Sequence, residues 1–450
     1  MRAIRTALGH RGLRLLLGAG IISLTGDWIM RVGLAYYIYV LTGSTLASAL
    51  MLLASFVPQI ALSSFAGVFV DRWDSKRTMV ISNVLLAAGL LPLLAVHRAS
   101  EVWIVYAVMV WESCLAQFFA PAQQSVLPAL VEDEHLVTAN ALNGQTSDVS
   151  RLVGSAVGGV VAALGGITAL ALTDIASFLL AAALIARIAT PRRERTAGQA
   201  GSLRTRLATL RAEWAEGLRL STRERVLRVI LIFLAVTSVG EGIMGTLFAP
   251  FVRSVLHGSG QAYGFVVAAQ AVGGIAGGLI AAAIGSRVRA SRLFGWGAVA
   301  FGAIDLVMFL YPLAWVAVWP AVVCMVVVGL PGALTLAGAM TLFQRATTGD
   351  NRGRVFGALG ALEGVAMVAG TITAGFLGQL TGIIPVLAAQ GAGYVLAGFA
   401  VLAALRGRAG AGQPAPAQPV PAQPEDEPAA AGHSLATSVS TSYLATEAPS

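Results

Sequence analysis

The residues in this sequence with chemistry to do are charged side chains set inside long apolar runs. Asp27 and Arg31 stand one helical turn apart near the middle of a run from about Leu13 to Val40, and Glu112 and Glu241 lie near the middles of two others. A charge at such depth is costly, so it faces a partner, a bundle interior or a water-filled cavity. Carboxylates gathered in a low-dielectric chamber are suited to take up a proton from one side of a membrane and release it to the other. Arg31 supplies a countercharge to Asp27, whereas Glu241 has no basic neighbour in its own run before Arg253. The expected order of proton carriers is therefore Glu241, Glu112, Asp27. Two alternatives stand beside coupling: an Asp27–Arg31 pair that fixes helix packing, and a Glu112 satisfied by an interhelical hydrogen bond.

The elements that must hold these residues are membrane helices. The chain has 450 residues, 56% hydrophobic and 12% charged, against about 25% charge in a soluble domain. Apolar runs long enough to cross a bilayer fall at 13–40, 45–70, 78–97, 102–127, 141–165, 167–188, 229–252, 261–285, 293–312, 315–341, 354–380 and 383–405. The cut at Gly165-Gly166 is the one that makes the count twelve. Lipid leaves no backbone group unpaired, so the runs are expected as helices. The first run is too long for the apolar core of a cleaved signal and reads as a retained span.

The net charge of +8 does not point to nucleic acid, because the basic residues cluster between runs. With both termini in the cytoplasm, inside segments hold Arg72, Lys76 and Arg77, the Arg192-to-Arg228 group, Arg287, Arg289 and Arg292, and Arg345 and Arg352. Outside segments hold only Arg98 and Arg253. That asymmetry is the positive-inside pattern for twelve spans. Cys114 and Cys324 lie in apolar runs and offer neither a disulfide framework nor a zinc site. HExxH, nucleophile-elbow and P-loop patterns are absent. The expectation is a multi-pass cell-membrane protein, not an enzyme, with no metal and no cofactor beyond a proton gradient, acting as a monomer on a small molecule and protons.

One unit is written twice. Gly26, Asp27, Ile29 and Met30 recur at one offset as Gly240, Glu241, Ile243 and Met244, and Asp148 recurs as Glu363 within one residue of it. The expected domains are a six-helix bundle over 1–190, a cytoplasmic linker over 191–228, a second six-helix bundle over 229–406 and a disordered tail over 407–450. In the linker, Leu203, Leu207, Leu210, Trp214 and Leu218 recur at helical spacing with arginines between. Such a helix either lies on the membrane surface or packs on the bundle. The tail is rich in Pro, Ala, Gln and Ser and cannot form a core. Two like bundles are the sequence form of a transporter that rocks around a midplane site. Asp148 and Arg151, one turn apart in the fifth span, read as a structural or gate pair. Asp174 and Asp305 fall toward the outer sides of spans six and nine and receive little weight.

The loop after span two runs from Gly67 through Asp71, Arg72, Trp73 and Asp74 to Lys76 and Arg77. It resembles the signature loop of the major facilitator superfamily, with Asp74 where glycine is usual. The second-half counterpart around Gly285, Arg287, Arg289 and Arg292 lacks the aspartate. Gly154, Ser155, Gly158 and Gly159 are similar to the glycine-rich motif of that superfamily's antiporters, with serine in place of proline. Gly26-Asp27, Thr42-Gly43-Ser44, the stretch Pro121 to Pro128, and Asn140 with Asn143 resemble the macrolide-efflux and enterobactin-exporter branch. The resemblance implies an all-α fold of two pseudo-symmetric six-helix bundles whose spans one, four, seven and ten line a cavity. It implies that Asp71 docks on the start of span eleven as a gate, with Arg72, Lys76 and Arg77 pairing with acids or headgroups. It also implies that spans five and eight meet through small residues, with Gly273 and Gly277 answering the first motif. Trp28, Tyr36, Tyr37, Trp111, Phe118, Phe119, Met244 and Phe248 would then line a pocket for a bulky ligand. The activity implied is proton-coupled export of bulky amphipathic molecules such as drugs, antibiotics or siderophores. The alternative is proton-coupled uptake of a small nutrient or lipid-derived solute.

Overall fold

The computed structural model describes residues 6, 8–70, 73–189, 214–284 and 287–406. Among them the regular structure is helical. The first half contains α1 (Arg11–Thr42), α2 (Thr45–Val70), α3 (Ser75–Leu90) and α4 (Val102–Val126). It ends in one long helical stretch, Leu136–Ala186, in which Gly165 (φ −146°) and Gly166 (φ 56°) leave helical geometry. The pieces 136–164 and 167–186 are α5 and α6. Gly166 sits in the left-handed region, where a side chain is strained, and a Cβ there would press on the Tyr37 ring at 3.1 Å. The turn is thus a glycine-only reversal, as the sequence predicts. The second half contains α7 (Arg225–Pro250), α8 (Gly260–Ile284), α9 (Ala290–Leu310), α10 (Trp319–Ala346), α11 (Gly349–Leu380) and α12 (Ile383–Ala404). Ten described helical stretches are long and apolar enough to cross a membrane. Dividing Leu136–Ala186 at its glycines and adding α2 gives the twelve spans of the major facilitator fold.

Asp71, Arg72, residues 190–213 and the tail lie outside the described residues, as do Gly285, the surroundings of Gly67 and the side chain of Asp148. The gate expected of Asp71 and Arg72, the Asp148–Arg151 pair and most of the linker pattern fall there. Asp74 has a plain structural use: its Oδ1 accepts a 2.8 Å hydrogen bond from the Arg77 backbone N–H, which caps α3. Residues 214–223 are helical and dock on α11. A Cβ at Gly217 would overlap the Arg354 carbonyl, and Arg354 pairs with Glu216. The described part of the linker therefore packs on the bundle.

Within each half the helices pack as α1 on α5–α6, α2 on α4 and α3 on α4, and again as α7 on α11, α8 on α10 and α9 on α10. Between halves the main pairs are α5 with α8 and α2 with α11. The apolar cores follow this plan. One core, including Ile38, Leu170, Val252, Tyr263 and Phe309, runs through both halves. Two smaller cores belong to one half each: Leu13, Leu16, Met79 and Ile185 in the first, and Leu227, Phe294, Phe343 and Val355 in the second. The end holding the start of α1 and the end of α12 is called basal here, and the opposite end distal. The halves are fused distally and separate basally.

Candidate functional site: a chamber between the halves

The distal seal is built from small residues and hydroxyls. A Cβ on Gly159 of α5 would overlap the Gly260 carbonyl oxygen, and one on Gly264 would lie 2.7 Å from the Ser155 carbonyl. Tyr36 donates to the Gly258 carbonyl at 3.1 Å, and the Tyr39 hydroxyl meets Ser254 Oγ at 2.9 Å. On the other flank Thr45 donates to the Gly375 carbonyl at 3.0 Å, and Gln379 Nε2 donates to Ser44 Oγ at 2.7 Å. Farther toward the basal end, the same faces of these helices part. Positions 144 on α5, 278 on α8 and 353, 357 and 360 on α11 have nothing within 4 Å of where a Cβ would sit. Helical periodicity puts 278 on the face of 264, and 357 on the face of 375. The result is a chamber open at the basal end and closed distally.

Two carboxylate clusters flank it. In the first half Asp27 is half-buried and Arg31 exposed on α1, while Glu112 on α4 is buried. Asp27, Glu112 and Asp174 of α6 act on one another electrostatically, and Arg31 acts on all three. Among the described residues no ion pair within 4.0 Å joins Arg31 to any of them. In the second half Glu241 on α7 is exposed, and Tyr394 of α12 donates to its Oε1 at 2.5 Å. Asp305 of α9 is buried and accepts from Gln390 Nε2 at 2.9 Å. Glu363 on α11 is exposed and within electrostatic reach of Glu241. The structure thus brings Asp27, Arg31 and Glu112 together in one cluster and Glu241 and Glu363 in another.

Several expectations are corrected. Asp174 and Asp305 belong to the two clusters and are not peripheral; an acid in an apolar run was itself the signal, and placing it near a helix end concealed its neighbours. Tyr394 and Gln390, polar residues in a very apolar helix, were also missed. The aromatic residues expected to line a pocket divide: Tyr36, Phe248 and Trp111 are taken up in packing, while Trp28 and Met244 are half-buried. Tyr36 belongs to the distal seal and stacks on Tyr263. Phe248 is buried in the shared core against Phe251 and Tyr263. Trp111 donates to the Leu85 carbonyl and covers Gly89, both on α3. Phe118 stacks with Trp73 near the basal end. Trp28 packs its Cβ toward Gly154, and Met244 is half-buried against the shared core. The glycine motif also divides its work. Gly154 and Gly158 let α1 approach, through Thr25 and Ile29 carbonyls, and only Gly159 meets α8. Gly273 and Gly277 serve α10, against Val326 and Leu330, and not α5.

The "transmembrane secretion effector" family model matches residues 6–431. Macrolide efflux protein A of Streptococcus pyogenes is 23% identical over 80% of this chain and 88% of its own. Multidrug efflux pump Tap of Mycolicibacterium fortuitum is 26% identical over 82% of this chain and 90% of its own. Among solved structures, a bacterial homologue of the iron transporter ferroportin in its inward-facing state superposes with a TM-score of 0.69 at 14% identity, covering 88% of this chain and 98% of that one; this likeness speaks for the fold. Two pseudo-equivalent bundles, a chamber open at one end and a match over nearly the whole helical region agree, and the chain belongs to the transmembrane secretion effector family of major facilitator transporters.

Proposed function

We propose that this chain is a proton-driven exporter of bulky, positively charged amphipathic small molecules, seated in the inner membrane with the basal end in the cytoplasm. The observation that carries the reading is the chamber: open at one end only, and edged by carboxylates from both halves. The two clusters set Asp27, Glu112, Glu241 and Glu363 against one guanidinium, Arg31, which favours a cationic ligand. The efflux activity of the two relatives supports the direction. Glu241 is the leading proton carrier, because it is exposed, has no neighbouring base in its helix and is held by one neutral donor.

Alternating access then requires only that the distal seal part while the basal ends close. Loading Glu241 with a proton from outside removes its charge and weakens its hold on a cation. Losing that proton to the cytoplasm restores the hold. Inverted vesicles test this. After energised acidification, addition of an exported cation such as a macrolide should dissipate the gradient, and Glu241→Gln should not respond. Accumulation driven in the opposite sense would establish uptake instead. An unchanged response in Glu241→Gln would remove Glu241 from the carrier role.

A further inference from the structure

Among the described residues, Asp174 is the most enclosed carboxylate of the first half. It is 0% exposed. Ser177 Oγ donates to its Oδ1 at 2.9 Å, and among the described residues its Oδ2 has no hydrogen-bond partner. Glu112, 9% exposed, also has an unpartnered oxygen, Oε2. The charged groups within electrostatic reach of Asp174 are Asp27 and Arg31 from α1 and Glu112 from α4. The helix α3, also packed on α6, has no ionisable side chain beyond Lys76 and Arg77 in its first turn.

Three carboxylates facing one guanidinium carry excess negative charge if all are ionised. A buried carboxylate lacking both a close cation and a full set of donors carries a large desolvation cost as an anion, so its resting form is the protonated one and the anion is a short-lived step. A proton on the orphan oxygen removes that cost. The repeat adds an independent argument. Gly26 gives α6 room, since a Cβ there would overlap Asp174 Oδ1 and Ser177 Oγ. Gly240 does the same for α12, where a Cβ would lie 2.8 Å from Gln390 Cγ. The fold meets this packing need with an amide in one half, so packing alone does not require an acid in the other.

We propose that Asp174 is a second, enclosed proton-holding site of the carrier. Its proton, on Oδ2, passes to the Asp27 carboxylate, and Asp27 releases it to water in the chamber. Asp174 is left as a carboxylate that keeps the Ser177 donor and faces Arg31; the reverse path reloads it. This extends the proton-driven reading, and its test does not depend on transport.

The purified protein in liposomes is titrated by infrared difference spectroscopy in the region of protonated carboxyl groups. Wild type should show a component that persists into neutral pH and is absent from Asp174→Asn. A spectrum unchanged by Asp174→Asn, or a component that follows sodium and not pH, overturns the proposal. Should Asp174→Asn fail to fold, Ser177→Ala decides: removing the donor to Oδ1 must change the pH range over which the component disappears, and an identical titration is a refutation. If the component is present and lost as expected while energised vesicles show no substrate-evoked proton flux, the enclosed site stands and the proton-driven export reading falls.

Discussion

Replacing Gly159 with alanine should open the distal end. The new methyl would overlap the Gly260 carbonyl oxygen and lie 2.8 Å from its carbon and 3.1 Å from the Gly264 nitrogen. These are backbone atoms on a facing helix, so no side-chain rotation relieves them and α5 and α8 must separate. Overpacking of this kind costs about 1–3 kcal/mol. The cost falls only on the distally sealed form, so the ratio of sealed to open forms drops by about 5- to 150-fold. Alanine also improves helix propensity by about 1 kcal/mol, but α5 is helical in both forms and that gain cancels. Gly144→Ala on the same helix is the control, because nothing lies within 4 Å of its Cβ position. Spin labels at Val40 and Arg253, exposed near the distal ends of α1 and α7, report the separation by double electron–electron resonance after Cys114 and Cys324 are replaced. Gly159→Ala should add a longer distance that Gly144→Ala lacks. Identical distributions in the two variants would refute the claim that glycine backbone contact holds the seal.

Other outcomes follow from single contacts. Tyr394→Phe removes the donor to Glu241, and a lost hydrogen bond of about 1–2 kcal/mol should alter ligand affinity by about 5- to 30-fold in a tritiated-ligand binding assay; unchanged affinity would separate Glu241 from the binding site. Asp74→Ala should destabilise α3 by about 1 kcal/mol, read as a lower denaturation midpoint, and Asp74→Asn should restore most of it. Glu216→Ala should leave linker protection from limited proteolysis almost unchanged, because a surface ion pair contributes about 0–1 kcal/mol. Gly217→Val should expose the linker by forcing its helix off the Arg354 backbone, and equal cleavage of both variants would show that the close approach is not what docks it.

The sequence alone determined the number of spans and the doubling, because each depends on local composition. A helix must cross lipid with its own apolar residues, the run 141–188 is too long for one crossing and turns at Gly165-Gly166, and Asp27 and Glu241 announce the repeat by spacing. Tertiary structure decided which face each residue presents. Gly154, Gly158 and Gly159 look alike in the sequence, yet two receive α1 and one receives α8. Tyr36 and Phe248 read as pocket lining until the halves close over them. Asp174 and Asp305 gain their meaning from Asp27, Glu112, Gln390 and Glu241, which lie far away in the chain. A carboxylate's chemistry is set by the charges and donors within a few ångströms of it, and in a bundle of twelve helices those come from other helices.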